Sequence, residues 1–190
     1  LTYSHSHMWS MMEGGDKEER HEKYLRDDEI HMITDTGGMI GLRTGHEKTL
    51  ANIRPPMAQP LVANTCQSST RSFAQSLTYA VDKGLNVGSG FAEHRLRSLN
   101  VGFGADLNGF IAQMKGLNGL FFLPGQNCYG DYLQLASTGG INDFHAKGFG
   151  HVGLFPEFIA DLKRVGVPAS YMDRIEKTSA ETYLQIWERS

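Results

Sequence analysis

A chain of 190 residues that is 40% hydrophobic is long enough to bury the core of one domain. Its formal net charge of -3 and pI near 6.2 leave no basic footprint, which excludes nucleic acid as a partner. No apolar run approaches the ~20 residues of a membrane span and no signal peptide opens the chain, while a start at Leu1 in residues that read as a strand end predicts a longer parent polypeptide.

The opening LTYSHSHMWS places Tyr3, His5 and His7 on one strand parity, so two imidazoles are expected to face one cavity. Imidazole is the commonest protein ligand for zinc, and the competing reading is a pair of solvated histidines at a strand end. Residues Met11 to Leu25 are charged and glycine-punctuated, an exposed loop with room for a short helix. From Arg26 the pattern changes. Asp27, Asp28 and Glu29 favour a helix N-terminus, Ile30 and Ile33 supply an apolar stripe, and Gly37 with Gly38 ends it.

A strand follows at Met39 to Arg43, with Arg43 at its C-terminal end. A guanidinium there suits bidentate binding of a carboxylate, or simply points into water. Residues 44–68 lack periodicity and carry Pro55, Pro56 and Pro60, which predicts a long loop covering a site. The two cysteines, Cys66 and Cys128, lack metal-ligand spacing, and Cys66 reads as a passive thiol with a reactive one as the alternative. Ser69 or Thr70 caps a helix whose apolar positions are Phe73, Leu77, Ala80 and Val81, and Gly84 stops it.

The stretch LNVGFGADLNGF, Leu99 to Phe110, carries the strongest signal. Val101 and Phe103 share one strand parity while Gly102, Gly104 and Asp106 share the other, so one face is apolar and the other nearly bare. Asp106 then stands at the C-terminal end of the strand, where ligands collect in α/β folds. The plainer reading makes Asp106 a helix cap, with Asn108 and Gly109 completing a turn, and a third makes the glycine-rich turn a phosphate cradle. Beyond it, IAQMK is helix-like, Leu117 to Gly150 shows no clear element, and a helix begins at Pro156 with Phe158, Ile159 and Leu162 on one face. Gly166 and Pro168 break that helix. Helical segments in Ala169 to Glu188 complete the chain, with Tyr183, Leu184 and Trp187 as core anchors. The alternation of strands and helices implies a parallel α/β arrangement in a single domain spanning residues 1–190.

Three motifs in order, YSHS at Tyr3 to Ser6, VGFGADLNG at Val101 to Gly109, and KGFGHVGLFPEFIADLKRVGV with the closing TSAETYLQIWER, resemble the C-terminal part of the membrane (renal) dipeptidase family. These are zinc peptidases of the amidohydrolase superfamily. The resemblance implies the C-terminal portion of a TIM (β/α)8 barrel, with three recognisable barrel strands and C-terminal helices. It implies His5 as a zinc ligand, Asp106 as the proton-transfer carboxylate, Arg43 and Asn108 on the substrate side, and two zinc ions per complete site. The implied substrate is a dipeptide or a similar small amide. The family's other metal ligands fall before Leu1, and its substrate-carboxylate arginine falls where this chain offers Lys23 and Arg26 out of register. Association with a missing N-terminal half, or a homo-oligomer, is therefore expected. The alternative function is an inactive barrel fragment serving as a binding or self-assembly module.

Overall fold

A computed structural model describes residues 2–11, 24–45, 62–64, 66, 68–85, 99–107, 113–114 and 128–189. Four strands, β1 (Thr2–Met8), β2 (Tyr24–Leu25), β3 (Met39–Arg43) and β4 (Asn100–Gly104), form one sheet in the order β2-β1-β3-β4. Every pairing is parallel. This is the parallel α/β arrangement that the alternation of elements requires, since parallel neighbours need a crossover between them. The two-residue β2 lies in the stretch expected to be loop, and it is held by pairing His7 with Tyr24 and Met8 with Leu25.

Helix α1 (Asp27–Asp35) begins where the acids cluster, with the Arg26 N–H donating to Glu29 Oε2 at 2.8 Å. It ends in a Schellman motif: Gly37 N–H donates to Thr34 O and Gly38 N–H to Ile33 O, with Gly37 at φ +65°. Helix α2 (Thr70–Leu85) runs through the residue expected to stop it. Gly84 is instead a contact residue, because a side chain there would press on Leu99 Cβ at 2.5 Å. Helices α3 (Cys128–Ser137) and α4 (Asp143–Lys147) occupy the region expected to lack elements. Helix α5 (Phe155–Arg164) follows the expected stripe, and α6 (Ala169–Asp173), a π turn (Arg174–Thr178) and α7 (Ser179–Glu188) run on without a break.

Ile40, Leu42 and Val101 are buried, and Phe103, on the same sheet face, meets the helices. Phe73 of α2 stacks on Phe103 at 5.5 Å, and Phe158 of α5 sits 5.0 Å from Phe73 and 5.6 Å from Phe103. Phe144 and Phe149, which carry no helical signal, join the same cluster. Each fully buried aromatic contributes about 2–3 kcal/mol of transfer free energy, so this face accounts for most of what holds the helices to the sheet.

Two expectations fail. Tyr183, Leu184 and Trp187 are not core anchors: they are 55%, 49% and 70% exposed, and α7 buries none of its residues. Their apolar spacing predicts a buried face, and α7 leaves it exposed. Cys66 is not a passive or reactive thiol either, for it is disulfide-bonded and no described cysteine is free. The sequence holds one other cysteine, Cys128, at the start of α3. A bidentate pair from Arg71 to Asp131, at 2.7 and 3.0 Å, links α2 and α3 in the same region.

Buried and half-buried ionic contacts set the positions of the helices. Asp27 of α1 accepts from Tyr79 OH at 2.6 Å and from Lys83 Nζ at 2.9 Å, both on α2. Burial pushes the Asp27 carboxyl up, and these two donors more than offset it, leaving it below the usual range. Asp161 of α5, with a fully buried side chain, accepts at Oδ1 from His145 Nε2 at 2.9 Å and Arg164 Nε at 2.6 Å. Here too burial raises the carboxyl, while hydrogen bonds from His145, Arg164 and Thr70 hold it below its ordinary value. A carboxyl depressed by folding stabilises the protein above its unfolded pKa and loses that contribution as pH falls through the folded value. Asp161→Asn is expected to cost about 3 kcal/mol at neutral pH, as breaking a buried pair does, and to flatten the acid limb of a urea-midpoint profile taken between about pH 2 and 7. An unchanged acid limb would show that Asp161 is not the group responsible.

Candidate functional site

The C-terminal ends of β1, β3 and β4 meet because the bare face of the sheet is bare. A side chain at Gly104 would stand 2.5 Å from Ser4 O, 2.7 Å from His5 Cα and 2.8 Å from His5 Cβ. At Gly41, directly between them, it would overlap Ser4 O. The strands on either side of β3 therefore curl until the end of β4 touches β1, although they are not hydrogen-bonded neighbours. His5 and the strand end that leads to Asp106 are brought side by side.

The same approach disturbs β1. Thr2 pairs with Met39 and Tyr3 with Ile40, but Ser6 pairs with Leu42, so β1 spends one residue more than β3 between Tyr3 and Ser6. Such an insertion reverses the parity beyond it. His7 consequently does not share the side of Tyr3, as simple alternation predicts. It lies on the side of Arg43, 3% exposed, with its ring 6.3 Å from that of Tyr24. His5 stays half-buried, and its Nδ1 is 2.9 Å from Ser4 Oγ. That contact engages Nδ1 and orients the ring.

Arg43 pairs in register with Gly104, at the same end of the sheet. Asp106 follows two residues after β4, half-buried, with φ +48°. This left-handed conformation is one that Asp and Asn tolerate better than other side chains, and non-glycine residues held in it concentrate at functional sites. The turn is fixed by Gln113. Its Nε2 donates to Ala105 O at 2.9 Å, its Oε1 accepts from Thr44 Oγ1 at 2.6 Å, and its backbone bridges Gly45. Gln113 was expected in a helix; it is an extended clamp between the ends of β3 and β4. Asn108 and most of the 44–68 loop lie outside the described residues.

Three of the four expected site residues, His5, Arg43 and Asp106, thus gather at one end of the sheet. Sequence reading missed Gln113 as the clamp and Ser72 and Ser76 as buried hydroxyls facing the same end. The signal for the serines was their i, i+4 spacing on α2 beside the apolar stripe. No three His, Cys, Asp or Glu side chains among the described residues converge to hold a metal ion.

Neither a family model, nor a curated protein, nor a solved structure matches the chain.

The close approach at Gly104 has a direct test. Gly104→Ala places a methyl against backbone that has no side-chain freedom to yield, and is expected to lower the unfolding free energy by about 1–3 kcal/mol in urea melts. Gly150→Ala, where nothing lies within 4 Å, leaves it unchanged. Equal stability of the two variants would mean that the strand ends do not meet.

Proposed function

We propose that the chain is the carboxy-terminal, substrate-facing part of a zinc-dependent dipeptidase-like hydrolase built on a TIM barrel, cleaving the amide bond of a dipeptide or similar small substrate. The observation that carries this reading is the meeting of His5 and the Gly104–Asp106 strand end, two positions that also match the family's motifs. His5 suits one metal ligand, because with Nδ1 engaged by Ser4 the metal would take Nε2. A catalytic zinc takes three protein ligands, so on this reading the others come from an N-terminal half of the barrel. When bound, zinc would polarise the scissile carbonyl and make water a nucleophile near neutral pH. Asp106 accepts the proton from the attacking water and returns it to the leaving amine, held for this by the Gln113 clamp on Ala105. Arg43 holds the substrate at the neighbouring strand end, and the family resemblance adds Asn108 on the substrate side.

The test is zinc content and dipeptide hydrolysis measured on the complete protein. Zinc close to two per chain with hydrolysis, and a loss of about 10²–10⁴ in kcat for Asp106→Asn at unchanged zinc content, is the expected result. A zinc-loaded protein that cleaves no dipeptide contradicts the reading.

A second reading, an assembly module without catalysis, is favoured by α7. Tyr183, Leu184 and Trp187 form an exposed apolar stripe, and β4, against which α7 packs, pairs on one side only among the described residues. An open strand edge beside an apolar helix face is a template for association. This reading predicts a stable oligomer in sedimentation that Leu184→Glu with Trp187→Glu dissociates. A well-folded monomer of the unaltered chain contradicts it.

A further inference from the structure

Helix α3 lies on the molecule without a buried apolar face. Between Gly130 and Ser137 only Asp131 is buried, Leu133 is 48% exposed, and the helix packs broadly on no other element among the described residues. It is held by the Arg71–Asp131 fork to the first turn of α2, at 2.7 and 3.0 Å. We infer that it is also held by a disulfide between Cys66 and Cys128, and that this bond is a redox latch. A dithiol reductant opens it and releases α3, while the sheet and the helices packed on it stay folded.

The pairing follows from the cysteine count. The chain holds two cysteines, Cys66 is disulfide-bonded, and no described cysteine is free. Cys128 is the first residue of α3. Asp131 stands three residues further on, the spacing that places two positions on one face of a helix. Cys66 in turn is fixed to the first turn of α2, because its carbonyl accepts from Ser69 Oγ at 2.5 Å and from Ser72 Oγ at 3.4 Å. A bond from Cys66 to Cys128 thus joins the same two elements as the fork from Arg71 to Asp131.

What makes the bond a latch is the contrast between the two sides it joins. α2 is anchored without it: Phe73, Leu77 and Ala80 are buried, and the Phe73 ring packs on Phe103 and Phe158. α3 has no such face, and segments with few buried apolar contacts are the first to open locally. Once the disulfide is reduced, the fork alone remains, on a guanidinium side chain that is 21% exposed to competing water. The chemistry is thiol–disulfide exchange. Cys66 is 3% exposed, which shields its sulfur, so the incoming thiolate attacks the sulfur of Cys128. A mixed disulfide forms there, and Cys66 leaves as a thiolate and takes up a proton. The second thiol of the reductant then displaces Cys128 and closes the reductant's own disulfide. Two electrons and two protons pass from the dithiol to the two cysteines, and a small-molecule disulfide reverses the step.

Zinc, hydrolysis and assembly play no part in this inference, so it stands or falls apart from the readings above. The test is peptide mapping of the unreduced full chain, followed by hydrogen–deuterium exchange with and without dithiothreitol. A linked Cys66–Cys128 peptide is expected. After reduction the amides of Asp131 to Ser137 are expected to exchange faster by about tenfold or more, with Phe73 to Lys83 and α5 unchanged. Oxidised glutathione restores the slow exchange. Cys128→Ser is expected to show the reduced pattern without reductant and to be indifferent to dithiothreitol, while Asp131→Asn keeps α3 slow as long as the disulfide is closed. The proposal is overturned if Cys66 maps to a second copy of the chain or to no partner, or if α3 exchanges alike in both states. It is equally overturned if α2 and α5 open together with α3, which makes the bond a staple of the whole fold, or if oxidised Asp131→Asn already exchanges fast, which assigns the hold to the fork.

Discussion

The absence of side chains at Gly41 and Gly104 is the constraint on which the working end of this molecule depends. Two hydrogen atoms stand where methyl groups would overlap the backbone of Ser4 and His5. With them the sheet curls until β4 meets β1, and the bare face is closed by main chain in place of side chains. The closest approaches there are to main-chain atoms of Ser4 and His5. With this contact go the inserted residue in β1, the separation of Tyr3 from His7, and the placing of Arg43 and Asp106 around one rim.

The opposite face works on a different principle. There the phenylalanines of the sheet, α2, α4 and α5 interlock, and non-directional burial provides most of the stabilisation. Position is set by a few buried and half-buried polar contacts. The Asp27 carboxylate fixes α1 on α2, Asp161 fixes α4 on α5, and the Arg71–Asp131 fork joins α2 to α3. Phe149 then donates its N–H to Met114 O, and Met114 in turn donates to Thr44 O. Packing of the C-terminal helices is thus connected by hydrogen bonds to the strand ends where Arg43 and Gln113 sit. The rigid scaffold and the polar rim are one structure.

Local chemistry made much of this legible. The acids of Asp27 to Glu29, the glycines at 37 and 166, and the apolar spacing of α2 and α5 mark elements whose stability is written in their own residues. The alternation in Val101 to Asp106 correctly separates a packed face from a bare one and places Asp106 at the strand end. What could not be read depends on contacts distant in sequence. Two residues suffice for β2 only because β1 is beside them. α3 and α4 are held by Arg71 and Asp161, neither of which is near them in the chain. The register shift that parts Tyr3 from His7 lies where β1 meets Gly104, almost a hundred residues away in the chain. Asp161 lies among the buried residues of α5, beside Phe158 and Leu162, and its donors His145 and Arg164 are set by the fold and not by the apolar spacing. The exposed stripe of α7 shows the converse, since apolar spacing reports a face that wants cover and not what covers it.

The most direct measurement is the proximity of Gly104 to His5 in solution. In isotopically labelled protein, the Hα protons of Gly104 are expected to show strong nuclear Overhauser contacts to Hα and Hβ of His5, together with the ordinary contacts of β3 to each neighbour. Contacts from β3 to both strands without any between Gly104 and His5 would describe an open, uncurled sheet. The site built on the meeting of those two strand ends would then not exist.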